Sequence, residues 1–352
     1  MEGTALTIVD TSRPVTGGVD THLDLNVAAC LDGIGGLLGV EQFPTSAAGN
    51  KALLGWLHSF GAVDKVGVEG TGSYGAPLAR YLRRAGVAVV EVDRPNRQER
   101  RRKGKTDQYD AIEAARAAQA QRQLGAAKSR DGNVEAIRAL VVAKRSAKST
   151  KIKTLNQIRH LGFTAPEEIR LSLQGVSRRL IARHAAAMRP RAGSDPVVFA
   201  TKTALRALGR RVVALDAETA EIDRLLTRLL KEGHEDLLSL YGVGIDSAAA
   251  LLVADGDNPE RLTSEASFAR LCGVAPIPAS SGKVVRLRLN PGGDRQANAA
   301  LWHIVITRMS GDLRARIYVE RRSKEGLSKK EIIRALKRYV AREVFHYLKP
   351  IA

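Results

Sequence analysis

Short apolar segments alternate with polar turns over the first 125 residues, and this pattern predicts strands and helices in alternation. Valine-rich runs such as 87–92 favour strands, and a serine before an apolar segment, as at position 46, favours a helix start. The predicted elements are strands at 15–20, 25–31 and 36–43, a helix at 46–60, a strand at 65–69, a helix at 74–85, a strand at 87–92 and a helix at 107–123. Residues 1–14 are predicted to be a flexible lead-in.

A different pattern begins near residue 126, where runs rich in alanine, arginine and leucine predict long helices. Apolar residues at alternating steps of three and four form a heptad seam. The seam consists of Leu205, Leu208, Val212, Leu215, Thr219, Ile222, Leu226 and Leu229. An earlier, strongly basic helix at 134–160 is predicted to place Ile152, Leu155 and Ile158 on one side. A hairpin within one chain and a dimerising coiled coil both fit.

From residue 233 onwards the chain is predicted to form a third, mainly helical region. Two short apolar helices at 237–240 and 246–254 flank a turn containing Gly242 and Gly244, which predicts a helix-hairpin-helix. Glycines let a backbone approach closely, and N–H groups at the start of the second helix can bind a phosphate. A plain corner between two helices is the alternative. Further helices are predicted at 296–309 and 328–348.

The charge of the chain indicates its partner class. Its 352 residues include 56 lysines and arginines against 37 acids, a formal net charge of +19. Such an excess favours a polyanion, because binding releases the counterions condensed on its phosphates. The sequence contains no apolar run of 18 residues and no leader with the pattern of a signal peptide. We therefore expect a nucleic-acid partner and no membrane.

The two cysteines bear on the compartment in which the protein works. Cys30 and Cys272 lie far apart in the sequence, and both have apolar neighbours. This spacing supports neither a disulfide framework nor a zinc site, and it favours buried thiols in a reducing environment. We therefore expect a cytoplasmic protein.

Four acids fall where the predicted elements could bring them together. Asp20 ends the first strand, Glu69 ends the fourth, and Asp107 and Asp110 share a face at the start of a helix. The order βββαβαβα is that of a ribonuclease-H-like domain, in which acids on these three elements meet at one end of the sheet. Two Mg²⁺ ions held there could stabilise the oxygens of a phosphodiester displacement. A nucleic-acid-binding scaffold with structural acids is the alternative.

Basic residues are the expected contacts to nucleic acid. Seven of the twelve residues at 94–105 are basic, which predicts a phosphate-facing strip directly before Asp107. A solvated surface loop is the alternative. The candidate contacts are Arg97, Arg100, Arg101, Arg102, Lys103, Lys105, Gly242, Gly244, Lys283, Arg286, Arg288 and Arg295.

The segment at 273–283 ends in two adjacent serines, Ser280 and Ser281, followed by Gly282 and Lys283. A serine becomes a nucleophile where cations lower the cost of its alkoxide and position a phosphate. Several arginines follow closely in the sequence. From the residues alone, however, an ordinary loop is the favoured interpretation.

Together these motifs resemble a known family. The segments GVDTH at 18–22, VGVEGTGSYG at 66–75 and GKTDQYDA at 104–111 resemble the N-terminal DEDD domain of the insertion-sequence one-ten family of transposases. The glycine turn at 242–244, GVAPIPASSGK at 273–283 and PGGDRQANAALWHI at 291–304 resemble its C-terminal domain. The resemblance extends over roughly residues 15–345.

The resemblance implies a DNA recombinase of a bacterial insertion element, a protein that associates with the nucleoid. The four acids would bind two Mg²⁺ ions, or Mn²⁺ in their place, in a RuvC-like domain. Ser281, immediately before a glycine, would be the nucleophile that forms a covalent phosphoserine link to DNA. A bridge RNA encoded by the element would pair with double-stranded donor and target DNA. The active site would be shared between protomers of a dimer or tetramer.

The expected organisation is α/β followed by all-α. It comprises the lead-in at 1–14, a RuvC-like catalytic domain at 15–125, a helical coiled-coil region at 126–232 and a C-terminal transposase domain at 233–352. Gln108-Tyr109 and Leu23 depart from residues common in the family, and the first departure could alter the start of its helix. The rival enzyme is a metal-dependent Holliday-junction nuclease or DDE-like transposase, for which Ser281 is dispensable.

Overall fold

The computed structural model describes residues 13–92, 106–120, 125–126, 128, 130, 132–257, 262–278 and 287–348. These residues form two compact units, each with its own internal packing. The first contains the chain up to residue 132 together with 255–263, and the second contains 133–254 and the chain from 264 onwards. The predicted lead-in falls almost entirely outside the described residues, which begin one residue before the first strand.

The first unit is a mixed β-sheet with helices packed against it. Its elements are β1 Pro14–Thr21, β2 Leu25–Leu31, β3 Leu37–Pro44, α1 Ala47–His58, β4 Ala62–Glu69, α2 Ala76–Arg84, β5 Ala88–Val92, α3 Asp107–Gln119 and β6 Gly125–Ala126. The strand order is β3-β2-β1-β4-β5-β6. Strands β1, β4 and β5 are parallel, whereas β2 is antiparallel to both of its neighbours.

All eight elements predicted for this unit are present, with ends that differ by a few residues. Ser46 begins α1 as predicted, because its side chain accepts a hydrogen bond from the Gly49 amide at 3.1 Å. Helix α3 ends at Gln119 rather than near residue 123. The short strand β6, which pairs antiparallel with β5, was not predicted.

The main core of the first unit lies between the sheet and helices α1 and α2. Alternate residues of the central strands, including Val19 and Val68, point into this core and are fully buried. The opposite face of the sheet is covered by α3, where Ala111 packs against β2. Since strand side chains alternate between faces, each central strand contributes to both layers.

Two glycines let α3 lie directly against the central strands. A Cβ atom on Gly18 of β1 would overlap with the backbone of Ala111 and Ala115, and one on Gly67 of β4 would overlap with the backbone of Ala114. Residues two positions further along each strand lie on this same face. The α3 face of the sheet therefore continues into the ends of β1 and β4.

The second unit is mostly helical. The elements that follow the first unit in the chain are α4 Asn133–Phe163, α5 Glu167–Leu173, α6 Ile181–Ala186, α7 Pro196–Ser239, α8 Ile245–Asp255, α9 Glu265–Leu271, β7 Ile277–Pro278, β8 Leu287–Arg288, α10 Arg295–Gly311, α11 Leu313–Lys324 and α12 Lys329–Leu348. Helices α5, α6, α9 and α11 and the hairpin β7–β8 were not predicted. None of the described helices is both long and apolar enough to cross a membrane.

Helices α4 and α7 form an antiparallel hairpin. The seam residues of α7 pack inside it, against other helices of the same chain. Leu205, Val212 and Leu226 are buried, and the remaining seam residues are buried or half-buried. Ion pairs that run in opposite directions along the two helices, Lys144–Asp223 and Lys151–Asp216, fix the antiparallel orientation. The seam is therefore an intramolecular contact, and the coiled coil between two chains is not needed to bury it.

Two details of the helical predictions were wrong. Ile152 was expected on the same side as Leu155 and Ile158, but it is 57% exposed whereas Ile158 is fully buried. The expected short helix at 237–240 is instead the end of α7, which continues through a non-helical residue at His234. Leu230 and Leu237, seven residues apart, are both fully buried, so this last segment of α7 packs against the unit as the rest of the helix does.

Part of the basic charge predicted for α4 is neutralised inside the unit. Lys144 is buried and makes ion pairs with both Asp223 of α7 and Asp246 of α8. Lys148 adds a second contact to Asp246, with 2.6 Å between its Nζ and the carboxylate. These pairs join three helices, since a buried cation requires such partners.

Candidate metal and nucleic-acid site

The two strand-end acids lie side by side at one edge of the sheet. Val19 of β1 pairs with Val68 of β4, so Asp20 and Glu69 come next on neighbouring parallel strands. Both are largely buried, with exposed fractions of 6% and 9%. The Thr21 hydroxyl donates a hydrogen bond of 2.8 Å to the Glu69 carbonyl oxygen. Strand pairing and this bond hold the two acids in register.

Helix α3 presents the other two acids in its first turn. Thr106 caps the helix, since its side chain accepts a hydrogen bond from the Tyr109 amide at 3.3 Å. Asp107 is half exposed and Asp110 is buried. Carboxylates in the first turn are stabilised by the partial positive charge of the helix N-terminus. The residues Gln108 and Tyr109 leave the start of this helix intact.

His22 links the strand end to the helix. Its Nε2 atom lies 3.0 Å from Oδ2 of Asp20 and 3.5 Å from Oδ1 of Asp107. Ligand atoms of these three residues all lie within 4.8 Å of one another, the one such group among the described residues. Glu69 and Asp110 flank this group without belonging to it. His22 was not predicted as a site residue, although it stands two positions after Asp20 in the GVDTH motif.

The electrostatics of Asp20 favour a bound cation at this group. Burial raises the pKa of the Asp20 carboxyl above 3.8, and the nearby Asp110 and Asp107 raise it further, while His22 opposes the shift. Ionising several carboxylates together in a desolvated place is unfavourable without a cation. Carboxylate oxygens and one imidazole are suitable ligands for Mg²⁺ or Mn²⁺. The residues present therefore fit a divalent cation.

The glycine turn of the second unit has a structural explanation. Gly242 has a φ of +84°, which favours glycine, and a Cβ there would lie 3.2 Å from the Ile304 carbonyl oxygen of α10. Gly244 has open space around it. Asp246 occupies the first turn of α8 and pairs with two lysines. A phosphate bound at this helix start would meet that carboxylate, so the geometry gives no support to phosphate binding there.

Two of the predicted cationic contacts lie in the described part of the second unit. Arg288 is an exposed residue of β8. Arg295 is the first residue of α10, whose start is capped by Asp294 through hydrogen bonds from the amides of Gln296 and Ala297. Arg295 also lines a cavity of about 700 Å³.

The remaining predicted residues lie outside the described part of the chain. They are Arg97, Arg100, Arg101, Arg102, Lys103, Lys105, Ser280, Ser281, Lys283 and Arg286. The serine segment is bounded by β7 and β8, which pair antiparallel with Ile277 opposite Arg288 and Pro278 opposite Leu287. The structure thus fixes the two ends from which the serine segment departs.

Comparison with known proteins connects both units to one family. Residues 17–161 match a family model for the DEDD domain of IS110 elements, described as a transposase. Residues 234–320 match a second model, described as the transposase IS116/IS110/IS902 family. The first match contains all four acids of the candidate site, and the second contains the glycine turn and the serine segment.

Two curated relatives are proteins of insertion elements. An uncharacterized 42 kDa protein of insertion element IS900 from Mycobacterium paratuberculosis is 29% identical over 139 residues, which cover 39% of this chain and 35% of that protein. An uncharacterized 43.6 kDa protein of insertion element IS110 from Streptomyces coelicolor is 34% identical over 136 residues, which cover 38% of this chain and 31% of that protein. The matched stretch thus spans about a third of each relative.

The two family models agree with the fold and the site geometry. Together they cover most of the described elements, and the DEDD model spans the strands and the helix on which the four acids lie. The resemblance inferred from short motifs is thereby confirmed: the chain belongs to the IS116/IS110/IS902 family of transposases.

Proposed function

We propose that this protein is the transposase of a bacterial insertion element, an enzyme that cleaves and rejoins DNA strands. The observation that carries the proposal is the approach of Asp20, His22 and Asp107 at one edge of the sheet. Glu69 lies beside them on the next strand. The chain's membership of a transposase family supports DNA strand cleavage and rejoining as the reaction at this site.

The first unit is proposed to be a ribonuclease-H-like domain of the RuvC type. Support comes from the strand order β3-β2-β1-β4-β5, with β2 antiparallel and with α3 covering the central strands. This topology places the acids of β1, β4 and α3 at the same edge. The helical region at 126–232 and the transposase domain at 233–352 are proposed to position DNA.

The four acids are proposed to hold two Mg²⁺ ions, with His22 as a further ligand to one of them. When bound, such ions stabilise negative charge on the oxygens of a phosphodiester undergoing displacement. The chain itself supplies the placement: strand pairing fixes Asp20 and Glu69, and the Thr106 cap fixes Asp107 and Asp110. Burial of Asp20 and Asp110 keeps water away from one side of the site.

Ser281 is proposed as the nucleophile. Its Oγ would form a bond to phosphorus as its proton passes to a base, while the bond from phosphorus to a deoxyribose oxygen breaks and that oxygen takes up a proton. Attack by the hydroxyl of another strand then reverses the exchange and releases the serine. This role rests on the family resemblance and on the sequence of the segment between β7 and β8.

The proposed partners are double-stranded donor and target DNA and a bridge RNA encoded by the element. The net charge of +19 supports nucleic-acid partners. The RNA and the sharing of the active site within a dimer or tetramer follow from the family resemblance. A guide that pairs with both DNA sites would carry the target information outside the protein.

A recombination assay in cells, with the native ends of the element, tests the proposal. It compares wild type with Ser281→Ala, Ser280→Ala and Asp20→Ala, and it measures strand exchange together with covalent protein–DNA adduct. We expect Ser281→Ala to abolish both and Asp20→Ala to abolish exchange. Ser280→Ala is the matched control, one residue away, and should retain both.

The rival enzyme predicts a different pattern. In a metal-dependent nuclease or DDE-like transposase, water or a 3′-hydroxyl attacks the phosphorus. Ser281→Ala would then recombine as well as wild type, while Asp20→Ala would remain inactive. That result would remove the serine from the proposal and leave the acidic site as the whole catalytic centre.

A further inference from the structure

A cavity of about 700 Å³ lies within the second unit. Its walls come from the segments 273–276 and 289–293, which stand on either side of the β7–β8 hairpin in the chain, and from helices α10 and α12. Its volume is within the range of pockets that hold a ligand of nucleotide size. The residues that line the cavity belong to the second unit, and the four acids belong to the first.

The charged residues that line this cavity are all cationic. They are Arg295 from α10 and Arg334, Lys337 and Arg338 from α12, and no acid of the described residues lines the cavity. Elsewhere in the second unit, cations such as Lys144, Arg308 and Arg342 are paired with carboxylates. Within the described residues, none of the four cavity cations makes an ion pair with an acid. Among the described residues, the cavity thus gathers four cations without a paired carboxylate, although Arg334 interacts with the charge of Glu331.

Hydrogen bonds hold part of this cluster in place. The Lys337 Nζ donates to Oδ1 of Asn298 at 2.9 Å, and the Asn298 amide donates to the Cys272 carbonyl oxygen at 2.8 Å. This chain of contacts ties α12 and α10 to the segment that leads into β7. The cationic cluster is therefore built into the packing of the unit.

Two features of the cluster favour the binding of an anion. The Nη1 atom of Arg338 is buried and has no hydrogen-bond partner among the described residues. Burial lowers the pKa of Lys337, and the neighbouring charge of Arg334 lowers it further. Buried polar groups without partners and like charges in one place both cost free energy. A bound anion with several acceptor oxygens would satisfy both.

We propose that this cavity binds a backbone phosphate of the DNA strand that the enzyme cuts. Phosphate oxygens match the fork of donors on arginine and the point charge of lysine. The cavity walls continue in the chain into β7 and β8, and the segment with the proposed nucleophile lies between these two strands in the sequence. Binding of an anion follows from the cavity itself, whereas the identification of that anion as a DNA phosphate rests on the proposed function.

Equilibrium binding of the full-length protein to nucleic acid tests the inference. Fluorescence anisotropy would measure binding of Arg334→Gln/Arg338→Gln to a labelled DNA duplex over a range of salt concentrations. Loss of this one phosphate contact should lower the salt slope by about 0.9 and weaken binding roughly tenfold near physiological salt. Single-stranded RNA of the same length forms a second arm.

The control variant is Lys329→Gln/Lys330→Gln, which removes the same charge from exposed positions on the same helix. It should change the slope and the affinity less than the cavity variant does. Arg334→Gln alone, at an exposed position, replaces the double variant if that variant unfolds.

Several outcomes would overturn the inference. These are equal losses in the cavity and control variants, unchanged DNA binding by the cavity variants, or a loss confined to RNA. Failure of the proposed function looks different, because the wild-type protein would then bind no DNA or would show no exchange in cells. A protein that recombines and binds DNA equally well in all variants contradicts the cavity assignment alone.

Discussion

At the scale of single residues, the acids could be predicted because their positions follow from simple patterns. Asp20 and Glu69 each end an apolar strand, and Asp107 follows a threonine that can cap a helix. His22 was missed because a histidine after a strand end has many interpretations in sequence. Only the fold shows that its imidazole reaches Asp107, more than eighty residues away in the chain.

Asp20→Asn should stabilise the metal-free protein at neutral pH. Burial and the neighbouring acids raise the pKa of Asp20 above 3.8, so its ionised form costs folding free energy. That cost is absent below about pH 3.8, grows as the pH rises, and is complete above the raised pKa. In EDTA at pH 7.5 we expect the apparent Tm to rise by about 2–4 °C, and the gain to vanish in acid.

Adding Mn²⁺ should reverse the order of the two proteins, since a cation bound to the folded state stabilises it. The wild type should gain Tm with Mn²⁺ concentration, whereas Asp20→Asn should gain little. Asp64→Asn, at an exposed position of the same unit, provides the control. A wild-type Tm that is insensitive to both Mn²⁺ and Mg²⁺ would mean that the acids do not form a metal site.

At the scale of elements, the sequence predicted the sheet better than the short helices. Strands β1–β5 carry short apolar runs separated by polar turns, and this pattern can be recognised in a single sequence. Helices α5 and α6 have seven and six residues, too few to show a helical repeat. The end of α7 was misassigned as a separate short helix because the predicted seam ends at Leu229, whereas the helix continues past the non-helical residue His234 to Ser239.

Gly18→Ala should destabilise the first unit, because the added Cβ would overlap with the backbone of α3. Backbone atoms cannot move aside as a side chain can, so we expect a cost of about 1–3 kcal/mol in the free energy of unfolding. Urea denaturation followed by circular dichroism measures this change.

Gly55→Ala is the matched comparison for Gly18→Ala. Gly55 lies in the last turn of α1, where a Cβ would meet open space. The same substitution should there stabilise the protein by about 0.5–1 kcal/mol, because alanine loses less backbone entropy than glycine in a helix. Equal effects at the two positions would contradict the close approach of α3 to the sheet.

At the scale of the whole molecule, the sequence left open whether the α7 seam joins two chains or folds back on one. Heptad spacing is the same in both cases, so no single sequence could decide between them. The structure fills the seam with α4 and α6 of the same chain. Within one chain the seam is therefore already packed, which favours the intramolecular hairpin.

Leu226→Ala should accordingly weaken folding rather than association. Leu226 is fully buried in the hairpin, and its truncation should cost about 2–5 kcal/mol. The Tm should fall by the same amount at low and high protein concentration. A loss that disappears at high concentration would show that the seam joins two chains.

The two glycines that seat α3 against the sheet each stand two residues before an acid. Because strand side chains alternate between the two faces of the sheet, glycine and acid share a face only when they are separated by an even number of positions. Insertion or deletion of one residue between glycine and acid would turn the carboxylate towards the apolar core, whereas a change of two residues would keep its side but shift it by one pleat. A search for remote members of the family should therefore weight even spacing between the small residue and the acid above the identity of the residue between them.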